Sequence, residues 1–226
     1  MFVVGAIVLM GVAGIRGAVY DFDITGRTPG LDGLRGSNET GGHDTSPATG
    51  IELSPGITYN DSTHMLSLHF GWGSAAAAGN GVDLTSPFSE VVLQGPASLG
   101  GNGQFVYNLT TAYASGYTPA KANGISGSFD VDNFAFTDLP TGFGGTYTAT
   151  QQEADFLAGN WYLNIASDAF PGGEIRGQLT AVPEPEEYAV FASLGLVLYA
   201  WHRRSNKKSA LDKISRVIIS GAGGAS

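Results

Sequence analysis

Residues 160–179 read N-W-Y-L-N-I-A-S-D-A-F-P-G-G-E-I-R-G-Q-L, and no other stretch limits the possible folds so strongly. Trp161, Leu163 and Ile165 alternate with Tyr162, Asn164 and Ala166. A period of two belongs to a strand with one buried face. Phe170-Pro171-Gly172-Gly173 follows, with one fixed φ and two residues that tolerate φ > 0, which is turn chemistry. Residues 174–180 then run back, with Ile175 and Leu179 on one face and Gly177 between them. Glu174 and Arg176 share the strand's parity and read as a surface pair, worth under about 1 kcal/mol if exposed. Residues 160–179 therefore form a β-hairpin, and the rest of the chain must give it a sheet to join.

The composition agrees. With 34 Gly, 10 Pro and only 14% charged residues, the chain favours short strands joined by tight turns over a helical bundle. Without cysteine it has no disulfide, thiolate ligand or thiol nucleophile. Residues 19–25 (V-Y-D-F-D-I-T) alternate cleanly, with Tyr20, Phe22 and Ile24 inward and Asp21 and Asp23 outward. Residues 26–54 read as loop. Residues 57–60 and 65–70 form a hairpin, with His64 on the parity of Leu66, Leu68 and Phe70. Further strands are expected at 82–84, 90–94, 104–110, 125–136 and 145–150, and a single turn or loop at the alanines 75–78. Residues 111–124 read as a surface excursion with exposed Tyr113 and Tyr117. Thr150-Gln151-Gln152-Glu153 has capping-box spacing, which predicts the one real helix over 151–158. The predicted fold is all-β: an antiparallel, Greek-key-like β-sandwich, with one short helix before the closing hairpin and a C-terminal hydrophobic helix.

The run Ala169-Phe170-Pro171-Gly172-Gly173-Glu174-Ile175-Arg176-Gly177-Gln178-Leu179 closely resembles the C-terminal signature of the CHRD (chordin-type) domain family. The preceding L-A-G-N-W-Y-L-N-I, 157–165, fits the same pattern. So do Arg35-Gly-Ser-Asn-Glu39-Thr and Ser46-Pro-Ala-Thr-Gly50, which resemble that family's early loop and later turn. The resemblance implies a β domain over 19–181, with Phe170, Pro171, Gly172, Gly173, Glu174, Arg176 and Gly177 as structural signature residues. Many such domains carry His-Ile-His-Gly-Pro-Ala. Here the matching run is Val92-Leu93-Gln94-Gly95-Pro96-Ala97, so both histidines of that run are gone.

No other arrangement of residues assigns chemistry. His64 and His69 are five apart and point to opposite faces of a regular strand, so they do not share a metal. Asp130-Val131-Asp132-Asn133 fails the Ca²⁺-loop pattern, with Ala135 where glycine and Thr141 where glutamate is needed, and reads as an exposed strand edge. No nucleophile elbow, phosphate loop or zinc spacing is present. The expectation is a non-enzymatic protein with no catalytic residues, metal or cofactor.

The ends of the chain carry address labels. Residues 1–18 are apolar and rich in small residues, like the hydrophobic region of a secretory signal peptide. No Lys or Arg precedes the run, so either the start lies upstream or the signal is atypical. Residues 182–208 resemble a PEP-CTERM sorting signal, the tag that exosortases process in Gram-negative bacteria. Pro183, Glu184 and Pro185 come first, an apolar span follows at 188–201, and Arg203 and Arg204 close it. Physically, such a helix halts in the membrane with its cations on the cytoplasmic side, leaving the rigid Pro-Glu-Pro accessible. Fourteen residues make a helix of about 21 Å, short for a bilayer. Residues 209–226 form a tail of unassigned role.

Within 19–182 four basic residues (Arg27, Arg35, Lys121 and Arg176) face sixteen acidic ones. Such a domain repels phosphate backbones, so nucleic acid is excluded as a partner. The sequence thus predicts an exported protein of the cell envelope or outer surface. Its partners would be an exosortase-like enzyme, the membrane transiently through 188–201, and extracellular polysaccharide. The alternative is a carbohydrate- or protein-binding adhesin, anchored by its C-terminal helix, that uses Tyr113 and Tyr117.

Overall fold

Val19–Thr25 forms the first strand, β1, and its alternation appears as predicted: Phe22 and Ile24 are buried, Asp21 and Asp23 exposed. The computed structural model describes residues 18–40, 44–76, 81–141, 144–183, 193, 195–199 and 202. The signal-peptide reading of residues 1–18 lies outside them except for Ala18. After β1 come β2 (Leu34–Arg35), β3 (Thr49–Asn60), β4 (Met65–Trp72), β5 (Phe88–Gly95) and β6 (Phe105–Asn108). A single helical turn, α1 (Leu109–Ala112), precedes β7 (Tyr117–Pro119), β8 (Gly127–Phe134), β9 (Leu139–Pro140) and β10 (Thr146–Tyr147). The helix α2 (Ala149–Leu157) leads into β11 (Trp161–Ser167) and β12 (Ile175–Ala181).

Every strand pairing is antiparallel. Among the described residues ten strands share one hydrogen-bonded sheet, nine of them in the order β6-β5-β11-β12-β1-β3-β4-β8-β7 with β2 beside that path, and β9 and β10 make a separate ribbon. The short β2 shares the seam between β12 and β3 with β1. Arg35 of β2 pairs with Arg176, while β1 pairs with residues 178–181. The large sheet curls, so that its two ends face each other across the core. Tyr107 of β6 meets Phe134 of β8 at 5.1 Å between ring centroids. Phe88 of β5 lies 5.0 Å from Trp72 of β4 and 4.6 Å from Tyr117 of β7. The two-layered packing expected of a sandwich thus comes from one continuous sheet.

Trp161 is fully buried, 5.2 Å from the Phe136 ring and 5.9 Å from Tyr107. Phe156 of α2 closes the core beside Phe22, at 4.3 Å. That helix starts two residues earlier than predicted. Its capping box is Thr148 with Gln151, the Thr148 side chain accepting from Gln151 N–H and the Gln151 side chain accepting from Thr148 N–H. The spacing rule fits both Thr148-x-x-Gln151 and Thr150-x-x-Glu153; the chain uses the first because Asp138 also accepts from Ala149 N–H, at 2.8 Å.

Other expectations change. Residues 26–54 are not all loop, since they hold β2 and the start of β3. Residues 82–84 are not a strand, although Leu84 N–H donates to Ile125 O at 2.9 Å and holds this segment against the chain before β8. Residues 104–110 end as the helical turn α1 because Asn108 caps it, accepting from Thr111 N–H at 2.9 Å. His64 is exposed in the β3–β4 turn with φ of 57°, off the strand parity of Leu66.

The chain divides into two units, Met1–Val182 and Pro183–Ser226. In the second, residues 193, 195–199 and 202 are helical, and Leu196, Val197, Leu198 and Tyr199 are exposed. Among the described residues no helix is long and apolar enough to cross a membrane. Most of 188–201 lies outside the described residues.

Candidate functional site

The strand β11 was expected to bury one face, but all seven of its residues are buried. Trp161, Leu163 and Ile165 face the core. The face of Tyr162, Asn164 and Ala166 is covered as well, by loops that follow β2 and β5 and by the hairpin's own turn. Buried polar groups must find partners inside, and here they organise the site.

Glu174 sits at the start of the returning strand and is fully buried. It does not pair with Arg176 on the surface, as the parity suggested. One carboxylate oxygen accepts from Ser46 Oγ at 2.8 Å, Thr85 N–H at 2.6 Å and Thr85 Oγ1 at 2.7 Å. The other accepts from Ser167 Oγ. Three distant segments, around residues 46, 85 and 167, are thereby tied to one side chain. Four donors can hold a carboxylate out of water without a cation.

Arg176 is also buried. Its guanidinium lies 3.4 Å above the centre of the Tyr162 ring. It donates to Asn102 Oδ1 at 3.1 Å and to Gly101 O. Burial pulls its pKa down, while Tyr162 and Glu39 nearby push it back up. Burial likewise raises the Glu39 carboxyl to about 7, against the opposing pull of Arg176 and the Thr40 N–H.

The turn residues act locally. Gly173 N–H donates to Phe170 O at 3.0 Å, and Pro171 and Gly172 are exposed. Gly173 has φ of 127°, and a Cβ there would come within 2.3 Å of Asn164 Oδ1, so the position needs glycine twice over. Gly177 is needed for closeness alone, since its Cβ would meet Ile24 Cγ2 at 2.2 Å.

The aromatics expected on the surface are packed inward. Tyr117 is half-buried and stacks on Trp72, 5.8 Å between centroids with planes 4° apart. Tyr113 is half-buried beside Phe134 at 6.2 Å. Both rings are therefore half-buried where the sequence predicted exposed ones.

Asp130 and Asp132 are exposed on one face of β8, with Val131 buried opposite. The buried His69 lies between them, its Nδ1 3.0 Å from Asp130 Oδ1 and its Nε2 3.3 Å from Asp132 Oδ1. His64 instead contacts Glu153 of α2 at 3.0 Å. Among the described residues no three His, Asp or Glu side chains group as a metal site. Pro183 is exposed just after β12. Glu184, Pro185, Arg203 and Arg204 lie outside the described residues.

Sequence reasoning missed the roles of Ser46, Thr85, Ser167 and Glu39. Their partners lie up to 128 positions away, and no local periodicity reports such contacts. No curated protein and no solved structure matches the chain. The CHRD domain model matches residues 33–179, from just before β2 to the Leu179 of β12. That span covers more than half of the chain and carries Glu39, Ser46, Thr85, Glu174 and Arg176, and the chain belongs to the CHRD domain family.

Proposed function

We propose that this protein is an exported, non-enzymatic CHRD module of the cell surface or extracellular polysaccharide matrix of a Gram-negative bacterium, delivered by an exosortase-like system. One observation carries the reading. The β domain closes at Val182, and an exposed Pro183 opens the Pro-Glu-Pro segment directly after it. The apolar span 188–201 and the pair Arg203-Arg204 follow in the order a membrane stop requires. A processing enzyme would recognise Pro183, Glu184 and Pro185 in sequence, with the membrane held transiently by 188–201. The signature's charges support a scaffold role, because Glu174 and Arg176 spend their hydrogen bonds inside the fold. The acidic domain surface suits solubility outside the cell and excludes nucleic acid.

The test is the triple variant Pro183→Ala, Glu184→Ala, Pro185→Ala, expressed in the native host and followed by fractionation. The variant is expected to stay with the membrane while the parent is released. Equal release of both removes the sorting reading. A second reading, an adhesin that stays anchored by its C-terminal segment, is favoured by a polar cavity beside the signature hairpin. It predicts that parent and variant both stay in the membrane fraction.

A further inference from the structure

Outside β11 the chain leaves a cavity of about 290 Å³. It is lined by Glu39, Thr40, Gln94, Asn102, Tyr162 and Asn164, with Gly172 at its edge. Asn102 and Gly172 are exposed, so the cavity opens to solvent there, while Glu39, Tyr162 and Asn164 are buried. Two buried side-chain oxygens of this lining, Glu39 Oε1 and Asn164 Oδ1, have no hydrogen-bond partner. Glu39 is 4% exposed and Asn164 5%. The other polar groups are engaged: Asn164 Nδ2 donates to Gly172 O at 3.2 Å, Tyr162 Oη accepts from Gly103 N–H at 3.3 Å, and Thr40 Oγ1 donates to Asn102 Oδ1 at 3.0 Å.

Asn164 Oδ1 can only accept, and Glu39 Oε1 accepts when the carboxyl is ionised, so the missing partner is a donor. Leaving such groups dry is costly, and an occupant that brings donors to both relieves the cost. Three kinds of small ligand bring donors. An ammonium would meet the Arg176 guanidinium, which already interacts with Glu39; a second cation there is repelled in a low-dielectric setting. An anion would face Glu39 inside a domain of strongly negative charge. A neutral polyol has neither penalty, and each hydroxyl both donates and accepts. A small turn of either side chain would bring Glu39 Oε1 and Asn164 Oδ1, which are closed to solvent as they stand, within reach of such a donor. A volume near the lower end for ligand cavities fits one ring or one chain end, not an extended oligomer.

We infer that this cavity is a binding subsite for a single neutral sugar unit, held by Glu39 and Asn164. The inference rests on the proposed matrix role for its source of ligand, the extracellular polysaccharide. The site itself is tested apart from export.

The experiment titrates the full-length protein, in a detergent without a sugar headgroup, with free glucose, galactose and mannose. Glucosamine and glucuronate serve as charged comparisons, and saturation-transfer NMR with calorimetry reads the binding. At least one neutral hexose is expected to saturate with Kd on the order of 1 mM, and both charged sugars to bind about tenfold more weakly. Glu39→Gln should weaken binding about fivefold, since an amide replaces the stronger acceptor. Thr40→Trp, placed at the edge of the cavity, should abolish binding and does so without altering the floor, so it decides the matter if Glu39→Gln fails to fold. No saturation by any of the three hexoses at about ten times that concentration overturns the inference. So does binding that a folded Thr40→Trp leaves intact. Sugar binding by a protein that stays in the cytoplasm would sink the export reading alone; export of a protein that binds no sugar would sink this subsite alone.

Discussion

Replacing Glu174 tests the buried network directly. Glu174→Ala removes the acceptor for four donors: Ser46 Oγ, Thr85 N–H, Thr85 Oγ1 and Ser167 Oγ. A hydrogen bond to a charged group contributes about 1.5–3 kcal/mol. The four are coupled through one carboxylate, so their values do not simply add. The hydroxyls can turn to other acceptors, but the Thr85 N–H cannot. A loss of about 4–6 kcal/mol is therefore expected, a large part of the ~5–15 kcal/mol that holds a domain folded. Glu174→Gln behaves differently. Its remaining oxygen can keep the three donors from Ser46 and Thr85, while its amide faces Ser167, whose hydroxyl can rotate to accept. That variant should lose only about 1–2 kcal/mol. The assay is equilibrium urea unfolding followed by tryptophan fluorescence, since Trp72 and Trp161 are buried reporters. The surface-pair reading of Glu174 and Arg176 gives under about 1 kcal/mol for either variant. A Glu174→Ala protein within that margin of the parent would refute the network's role.

One further prediction concerns the hairpin and another the loop after β2. Gly177→Ala places a methyl 2.2 Å from Ile24 Cγ2 and 3.2 Å from Gly33 O, so the seam of β12, β1 and β2 must shift; the expected cost is about 1–3 kcal/mol, read as a lower midpoint with an unchanged m-value. Glu39 titrates near 4.5 unfolded and about 7 folded, because burial disfavours its charged form. The folded state holds the proton longer, so its contribution to stability is greatest below about 4.5, falls as pH rises towards about 7, and is level above that. Glu39→Gln should remove up to about 3 kcal/mol of this fall, seen as a flatter melting temperature between pH 5 and 8; an unchanged slope contradicts the assignment. Glu52, raised to about 7 by burial with Asp23 and Asp21 adding to it, contributes a slope of the same sign that the variant leaves in place.

The hairpin was legible because alternation and turn chemistry are local. Gly173 and Gly177 show why two of the signature's glycines are there. What local pattern cannot show is whether a strand's second face meets water. Tyr162, Asn164, Glu174 and Arg176 all look like outward residues; loops from residues 36–40 and 97–103 lie over Tyr162, Asn164 and Arg176, and the segments around residues 46 and 85 close over Glu174. Tyr117 was misread for the same reason. Its segment has no periodicity of its own, and its burial depends on Trp72 and Phe88, which lie far from it in sequence. The α2 cap shows a smaller limit: two overlapping spacings satisfied one rule, and Asp138 favoured the earlier start. The unpartnered Glu39 Oε1 and Asn164 Oδ1 could not be seen in sequence at all, since an orphan is defined by its surroundings.

If the proposed sorting operates, the folded CHRD domain is exported and cut free at the segment after β12. Intact mass of the protein recovered from fractions of its native host tests this most directly. The expected species lies outside the cell, begins near residue 19 and ends within 183–185. A species that keeps residues 188–226 in the membrane fraction would contradict processing, and an uncut chain in the cytoplasm would contradict export itself.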